Sequence, residues 1–321
     1  MIRVGIEESI PEELLAAFPP EAEIVRIPAQ PTTEIDVDLW VLTFPRKETK
    51  EIFTRLRGVR VVQSLMAGVD WILPWLPKDI TLCDGRGIHD ISTSEWVLSV
   101  ILATMKRLPF YRDQQHAQEW RGLGSAGKSD VQTAKPLPYK VLGEDLSGKT
   151  VLIVGYGSIG AAIESRLQPF GVNVLRVARS ARTTPPVSAI GDLHALLPQA
   201  DIVVLIVPAT PETKGLIGAP ELALMKPGAL LVNAARGPVV VTDALVEALN
   251  QNHIRAALDV TDPEPLPSGH PLWTAPNCLI TPHVGGSTPE FIHRAFRFAA
   301  QQVHRMAASE PLENIVTDAG Y

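Results

Sequence analysis

Short runs rich in β-branched residues alternate with helical patterns along almost the whole chain. Each run has the length of one strand, and a helical pattern separates it from the next. Strands separated by helices predict parallel sheets covered on both faces, because a parallel connection has to cross from one end of the sheet to the other. In the second half of the chain the pattern predicts a complete dinucleotide-binding domain of six strands. Its predicted strands are Thr150–Val154, Asn173–Val177, Asp201–Val207, Ala229–Asn233, Ile254–Leu258 and Cys278–Ile280.

The first hundred residues and the C-terminal end show the same alternation. The predicted strands are Ile2–Ile6, Leu39–Thr43, Val59–Ser64 and Ile80–Cys83. The predicted helices are Pro11–Phe18, Lys47–Leu56, Ser92–Gln118 and Pro289–Ala308. Thr93 or Ser94 is a plausible cap for the long third helix. A chain of 321 residues is more than one hydrophobic core usually serves, so we expect two domains.

Charge and cysteine content exclude several classes of protein. A net charge of −6 gives no reason to expect a nucleic acid or an anionic membrane as partner. Two cysteines, Cys83 and Cys278, cannot form a disulfide framework or a metal knuckle, and we predict no metal site. The longest apolar runs, such as Ile202–Pro208, are too short to cross a bilayer, and acidic residues stand where a signal peptide would be apolar. We therefore expect a cytoplasmic protein.

The segment VLIVGYGSIGAAI places three glycines in the G-x-G-x-x-G spacing after an apolar strand. Gly155 permits a tight turn, Gly157 lets the backbone approach a pyrophosphate, and Gly160 allows close packing of helix on strand. Ser158 and Ile159 begin the next helix, whose free N–H groups would face the phosphates. Such a triplet alone is weak evidence, but its position between strand and helix favours dinucleotide binding over a structural turn.

The end of the second strand of this domain bears on coenzyme choice. Ala178 stands where an NAD-specific site usually has an acidic residue that binds the ribose 2′-hydroxyl. Arg179, Ser180 and Arg182 follow, and guanidinium groups suit a 2′-phosphate. The alternative is a solvated basic loop. We favour NADP(H), with NAD(H) possible.

Three further polar groups follow predicted strands. Arg236 stands just after one strand, Glu264 lies in a proline-rich loop beyond the next, and His283 comes just after the last. Asp259 stands directly at the end of the strand that precedes Glu264. In open α/β sheets ligands bind at the carboxyl ends of strands, so these side chains are candidates for one site.

With these residues in place, the chain resembles the D-isomer-specific 2-hydroxyacid dehydrogenase family over almost its whole length, and most closely the glyoxylate/hydroxypyruvate reductases. The resemblance implies that Arg236, Glu264 and His283 are catalytic. It also rests on LMAGVDWIL, which resembles the family's glycine-rich substrate loop, and on TSEW, PATPETKGLI and HPLW. Substrate contacts are expected at Ala67, Gly68 and Val69, and further coenzyme contacts at Pro208, Thr213, Ala234 and Asp259.

The fold implied is α/β, with two doubly wound parallel-sheet domains. Residues 101–285 would form a Rossmann domain that binds NAD(P), inserted in a flavodoxin-like substrate domain made of 1–100 and 286–321. The family is typically dimeric, and the apolar helix from Ser92 would suit a homodimer interface. The segment 121–147 is longer than the family's usual connection; a spacer is preferred to a dimer arm or a lid.

The chemistry of these groups suits reduction of a small 2-keto acid. Arg236 can hold the carboxylate and polarise the carbonyl oxygen. The N–H groups of Gly68 and Val69 could bind the other carboxylate oxygen. His283 would donate the proton while Glu264 fixes its tautomer, and Asp259 would meet the nicotinamide carboxamide.

Rival activities of the same fold agree less well with the residues. Formate dehydrogenases resemble a version with glutamine where Glu264 stands, and phosphite dehydrogenase has a lysine in the loop that here reads MAGVDW. A corepressor-like dinucleotide-sensing protein can retain the catalytic residues. It is disfavoured because no partner-binding extension is evident.

Overall fold

The computed structural model describes residues 1–122, 135–136 and 143–317. The chain divides into two compact units. Unit 1 consists of Met1–Ser92 together with the C-terminal segment that begins at Gly286, and unit 2 consists of Thr93–Gly285.

The strands and helices alternate through both units. The strands are β1 (Ile2–Glu7), β2 (Ala22–Ile27), β3 (Ile35–Asp36), β4 (Leu39–Leu42), β5 (Leu56–Arg57), β6 (Val61–Ser64), β7 (Thr81–Cys83), β8 (Arg121–Gly122), β9 (Lys135–Pro136), β10 (Thr150–Val154), β11 (Asn173–Ala178), β12 (Arg182–Thr183), β13 (Pro186–Ala189), β14 (Ile202–Leu205), β15 (Leu230–Asn233), β16 (Arg255–Leu258) and β17 (Cys278–Ile280). The α-helices are α1 (Glu12–Leu15), α2 (Thr49–Arg55), α3 (Asp90–Met105), α4 (Leu108–His116), α5 (Ser158–Leu167), α6 (Leu193–Leu196), α7 (Ala219–Leu224), α8 (Thr242–Asn250) and α9 (Pro289–Ala307).

Unit 1 is built on a parallel sheet in the order β2-β1-β4-β6-β7. This is the doubly wound order 2-1-3-4-5 of flavodoxin-like folds. One face packs against α9, whose Phe291, Phe296 and Val303 are buried with Val4 and Val41 of the sheet. On the other face, Trp40 of β4 is buried in a cluster with Ile52 of α2 and Ile72. Because alternate residues of β4 are buried on opposite faces of the sheet, all four of its residues are apolar.

Unit 2 is built on a larger sheet in the order β12-β13-β11-β10-β14-β15-β16-β17. Its pairs are parallel except for β12, which runs antiparallel to β13. The central strands from β13 to β16 have the Rossmann order 3-2-1-4-5-6, and the order reverses between β10 and β14. Alternate residues of β10 and β14 enter two separate cores, one of which includes Val97, Ile101 and Met105 of α3. The predicted α/β fold class is therefore confirmed.

Seven of the strands were not predicted, among them β2 and β13, and the first predicted helix is wrong in its extent. β2 has two charged residues among its six, and β13 is a short strand that begins with proline. The first helix is limited to Glu12–Leu15, ahead of Pro19 and Pro20, because the residue before a proline disfavours the helical conformation.

The long helix predicted over Ser92–Gln118 is two helices, α3 and α4, divided at Arg107 with φ of 57°. Pro109 has no N–H to donate to the Met105 carbonyl, which instead accepts from the N–H of Glu144 at 2.8 Å. α3 begins at Asp90, so the expectation that Thr93 or Ser94 caps it is wrong. The segment 121–147, for which a spacer role was preferred, lies mostly outside the described residues.

Within the described ranges, no helix combines the length and the apolar character needed to cross a membrane. Among the same residues there is no group of three or more histidine, cysteine or acidic side chains that could hold a metal ion.

Candidate active site

The glycine-rich turn between β10 and α5 has little room at two of its three glycines. A Cβ on Gly155 would lie 2.4 Å from the Ile206 carbonyl oxygen, and its φ is 107°. A Cβ on Gly160 would lie 2.9 Å from the Gly155 oxygen, so α5 packs closely on the turn. At Gly157 a Cβ would meet nothing within 4 Å, which leaves open space beside the first turn of α5. Ser158 and Ile159 begin that turn, and this cradle fits a pyrophosphate.

Tyr156, between the first two glycines, joins the turn to a buried ion pair. Its hydroxyl donates to Glu164 at 2.6 Å, and Arg176 on β11 donates to the same carboxylate through both Nε, at 2.6 Å, and an Nη atom. The Arg176 hydrogen bond, and in smaller part that of Tyr156, lowers the pKa of Glu164 despite its burial. Strand β11 and helix α5 are thereby tied together beneath the phosphate turn.

The residues considered for coenzyme choice lie at the carboxyl end of β11. Ala178 is the last residue of that strand, and no acidic residue follows it before β12. Arg182 on β12 donates to the Tyr156 carbonyl oxygen, and its guanidinium carbon lies 5.7 Å from the Tyr156 ring centroid. Arg182 is thus fixed beside the phosphate turn. Arg179 and Ser180 are exposed in the turn between β11 and β12.

The loop after β14 has its own hydrogen-bonded structure. The Thr213 hydroxyl donates to the Pro208 carbonyl at 2.7 Å and accepts from the Thr210 N–H at 2.8 Å. This loop and the residues after β15, including Pro238, line a pocket of about 390 Å³. Glu212 lies in the same loop, and its pKa is lowered by a hydrogen bond with Thr210 and, less, by the charge of Arg179.

Arg236 lies in the turn after β15, and neighbouring residues stabilise this turn by hydrogen bonds. The buried Asn233 accepts from the N–H of Ala235 at 3.0 Å and donates to the carbonyl of Arg236 at 3.1 Å. Gly237 is pressed against the loop after β16, since a Cβ there would lie 1.9 Å from the Thr261 carbonyl oxygen. The Arg236 side chain is partly buried, and one Nη atom donates to the Ala235 carbonyl at 2.8 Å. Ala234, also expected to contact coenzyme, lies in the same turn.

His283 and Glu264 form a direct pair. Nδ1 of His283 lies 2.6 Å from Oε1 of Glu264, and the two side chains are 46% and 39% exposed. With Nδ1 directed at the carboxylate, Nε2 is the ring atom that can exchange a proton with a ligand. Within the described residues no protein group bonds Nε2.

Asp259 directly follows β16 and is 5% exposed. Its Oδ1 accepts from the Thr281 hydroxyl at 2.6 Å and the Val284 N–H at 2.9 Å, and its Oδ2 accepts from the Gly285 N–H at 2.8 Å. Its carbonyl oxygen accepts from the His283 N–H at 2.7 Å. The structure thus shows Asp259 holding the loop of His283, and the expected nicotinamide contact stays a prediction.

The predicted substrate loop lies in unit 1, directly after β6. Val69 is fully buried, and its carbonyl accepts from the N–H groups of Ile72 and Leu73 in a turn. Within the described chain, the N–H groups of Ala67, Gly68 and Val69 have no protein acceptor. Backbone donors seldom stay unsatisfied, so this loop offers a binding position for an anion.

The structure brings Arg236, Asp259 and His283 to the carboxyl ends of three neighbouring strands, β15, β16 and β17, with Glu264 beside His283. Residues of the phosphate turn lie at the same edge of this sheet, whereas Ala67, Gly68 and Val69 belong to unit 1.

Sequence reasoning missed the residues that hold the site, above all Asn233, Thr281 and Trp96. Trp96, in the TSEW segment, packs against the core of unit 2, and its indole N–H donates to Thr281 at 3.1 Å. The position of Thr281, two residues before His283, was the one sequence signal that it could support the histidine.

Comparison with known proteins relates the chain to one family of dehydrogenases. Residues 98–285 match the profile described as "D-isomer specific 2-hydroxyacid dehydrogenase, NAD binding domain". The chain is 34% identical over 265 residues to a glyoxylate reductase of Thermococcus gammatolerans, covering 79% of this chain and 75% of that protein. It is 32% identical over 288 residues to a D-3-phosphoglycerate dehydrogenase of Methanocaldococcus jannaschii, covering 88% of this chain but 52% of that longer protein.

A solved structure is similar to this chain over almost its whole length. The NADPH-dependent glyoxylate/hydroxypyruvate reductase of Sinorhizobium meliloti, in complex with NADP and sulfate, is 27% identical with a TM-score of 0.80. The match covers 99% of this chain and 98% of that one.

Proposed function

Since the chain belongs to the D-isomer-specific 2-hydroxyacid dehydrogenase family of oxidoreductases, we propose that it reduces a small 2-keto acid to the D-2-hydroxy acid with NADPH as preferred coenzyme. Glyoxylate and hydroxypyruvate are the substrates we favour, because relatives and structural neighbours carry those names. The observation that carries the proposal is the 2.6 Å pair of His283 and Glu264, at the same edge of the sheet as Arg236.

In this proposal His283 is the general acid of the reduction. Glu264 accepts the hydrogen bond of Nδ1–H, which fixes the ring and leaves Nε2–H directed at the substrate. As the carbonyl carbon gains a hydride, its oxygen gains negative charge and takes the proton from Nε2. In the reverse direction, Nε2 accepts the proton of the hydroxyl group.

Positive charge and backbone donors bind the anionic substrate. Arg236 binds the carboxylate and polarises the adjacent carbonyl, as a planar guanidinium can do with two parallel hydrogen bonds. The N–H groups of Ala67, Gly68 and Val69, which lack a protein acceptor in the described chain, supply further donors for the carboxylate. Accordingly, we assign substrate binding to the unit built from the chain ends and coenzyme binding to the inserted unit.

The dinucleotide, when bound, supplies the hydride. Gly155, Gly157 and Gly160 would hold its pyrophosphate against the first turn of α5. Arg179, Ser180 and Arg182 would bind a 2′-phosphate, and the absence of an acidic residue after Ala178 removes the partner that NAD(H) usually has. Pro208, Thr213, Ala234 and Asp259 are the remaining contacts that we propose.

Initial rates of coenzyme oxidation test the proposal. NADPH and NADH are compared side by side, with glyoxylate and hydroxypyruvate as acceptors. We expect turnover with both acids and a higher kcat/KM for NADPH. Turnover with NADH alone would support the proposed reaction but refute the preference for NADPH. No turnover with these or a wider panel of 2-keto acids would refute the function and favour a dinucleotide-sensing role.

A further inference from the structure

The hydroxyl of Thr281 lies between Trp96 and Asp259. Nε1 of Trp96 donates to Oγ1 of Thr281 at 3.1 Å, and that oxygen donates to Oδ1 of Asp259 at 2.6 Å. An indole nitrogen can only donate, and an ionised carboxylate can only accept. The single proton of the hydroxyl therefore has one direction, from Thr281 to Asp259.

This hydroxyl completes the set of donors around Asp259. The other two are backbone N–H groups, of Val284 and Gly285, so all three donors come from the loop that carries His283. His283 itself has φ of 54°, which is unfavourable for a residue with a Cβ atom. The hydrogen bonds of Asp259 compensate for this conformation and define where the imidazole points.

Trp96 also limits the loop sterically. A Cβ on Gly285 would lie 3.0 Å from Cγ of Trp96 and 2.8 Å from Oδ2 of Asp259. The ring is packed against the core that α3 forms with the sheet of unit 2. Trp96 therefore connects a rigid helix to the loop of the catalytic histidine.

We propose that Trp96 and Thr281 are positioning residues that act through Asp259 to hold His283 against Glu264. The proposal rests on the proposed function, in which His283 transfers the proton. Among the described residues, neither side chain bonds to the side chain of His283 or Glu264, although the Thr281 carbonyl accepts from the His283 N–H at 3.0 Å. The effect of the two side chains is therefore expected on kcat rather than on the KM of the keto acid.

Substitutions at Thr281 separate the hydroxyl from the volume of the side chain. Thr281→Val removes the hydroxyl with little change in shape, and we expect kcat to fall roughly tenfold to hundredfold, since small displacements of a catalytic group are costly. Thr281→Ser keeps the hydroxyl and should retain kcat within about twofold. Thr54→Val, which removes an exposed hydroxyl bonded to a carbonyl of α2, is the matched control and should leave kcat unchanged.

A double-mutant cycle tests whether Trp96 acts through Thr281. Trp96→Phe alone should lower kcat, and the same substitution in the Thr281→Val background should cause little further loss. Independent, multiplying losses would overturn the proposal. So would a Thr281→Ser enzyme as impaired as Thr281→Val.

Amide hydrogen exchange at Val284 and Gly285 tests the same link without turnover. We expect faster exchange in Thr281→Val and in Trp96→Phe, and nearly wild-type exchange in Thr281→Ser. Unchanged exchange in the first two variants would contradict the proposal even if both lost activity. A wild-type protein that reduces no 2-keto acid would instead refute the proposed function, and the exchange data would still decide whether the link exists.

Discussion

At the scale of single residues, the site depends on a histidine in an unusual backbone conformation. His283 has φ of 54°, and the N–H of that residue donates to the Asp259 carbonyl while its ring meets Glu264. A left-handed non-glycine residue persists where surrounding contacts determine it, and such residues are concentrated at functional sites.

Replacing this histidine should remove chemistry and leave coenzyme binding intact. For His283→Ala we expect kcat to fall by roughly 10²- to 10⁴-fold, the usual contribution of a positioned general acid. The Kd for NADPH, measured by fluorescence titration, should stay within about twofold, because the phosphate turn is separate from His283. The exposed His304 gives a control, since His304→Ala should leave kcat unchanged. Lost coenzyme binding in a folded variant would contradict the assignment.

Neither cysteine should behave as a reactive thiol. Burial raises the pKa of Cys83 and of Cys278 to about 12, with the charge of Asp84 adding to the shift at Cys83. At pH 8 only about one thiol in 10⁴ would then be ionised, and the thiolate is the nucleophile. Mass spectrometry after treatment with iodoacetamide should show no labelling of native protein and labelling of both residues in denaturant. Rapid labelling of the native protein would contradict this expectation.

The side chains that we propose for the chemistry can be chosen from the sequence, but the residues that hold them in place cannot. Arg236, Glu264 and His283 stand at recognisable positions after strands. Thr281 and Trp96, by contrast, are 185 residues apart, and nothing in the local pattern of either indicates that they form a hydrogen bond.

At the scale of elements, a buried ion pair joins strand β11 to helix α5. Arg176 and the hydroxyl of Tyr156 bond Glu164, whose pKa is lowered mainly by Arg176. A carboxyl group with a lowered pKa in the folded state stabilises the fold above its ordinary pKa, and that contribution is lost as the pH falls.

We therefore expect the stability difference between wild type and Glu164→Gln to depend on pH. The wild type should have the higher free energy of unfolding at pH 7, and the difference should shrink as the pH falls below about 4.5. Urea unfolding at several pH values measures it, with the exposed Glu13→Gln as control for the loss of a charge. A difference that stays constant down to pH 3 would contradict the expectation.

The segment after β11 should determine coenzyme choice. Arg182 is held beside the phosphate turn by the Tyr156 carbonyl. Loss of one charge-assisted hydrogen bond to a phosphate costs about 1.5–3 kcal/mol, so Arg182→Gln should raise the KM for NADPH roughly tenfold or more. The KM for NADH should change less than about twofold, and Arg55→Gln on α2 is the control. Equal effects on both coenzymes would indicate a structural role.

Element prediction succeeded where apolar runs were long and failed where the pattern was mixed. All six strands predicted for the inserted domain are present, whereas β2, with two charged residues among six, and the four-residue β13 were missed. The division between α3 and α4 follows from Pro109, a local signal that the prediction of one long helix overlooked. What local propensity does not encode is that the N–H of Glu144 donates to the Met105 carbonyl.

At the scale of the whole molecule, α4 lies at the surface of unit 2. None of its residues is buried, Leu108 is 55% exposed, and the nearby Trp120 is 74% exposed. Such side chains lose water contact when two chains associate, which favours association. We propose that they contribute to a homodimer.

Light scattering during size-exclusion chromatography tests this proposal. The wild type should have twice the mass of one chain, and Leu108→Asp combined with Trp120→Ser should shift the population to monomer at micromolar concentration. Lys78→Asp, an exposed substitution in unit 1, is the control for added negative charge. A wild-type monomer would contradict the proposal.

The packing of α9 on the sheet of unit 1 has a consequence for how the protein is made. Phe291, Phe296 and Val303 cover the face of the sheet on which Val4 of β1 and Val41 of β4 lie. A ribosome has to translate the entire inserted unit before those aromatic side chains emerge. During that interval the N-terminal strands present an uncovered apolar face, and at its end the inserted unit already has all of its own core residues. The part of the chain synthesised first is therefore the part that can finish folding last, and its first strands need protection from aggregation for most of translation.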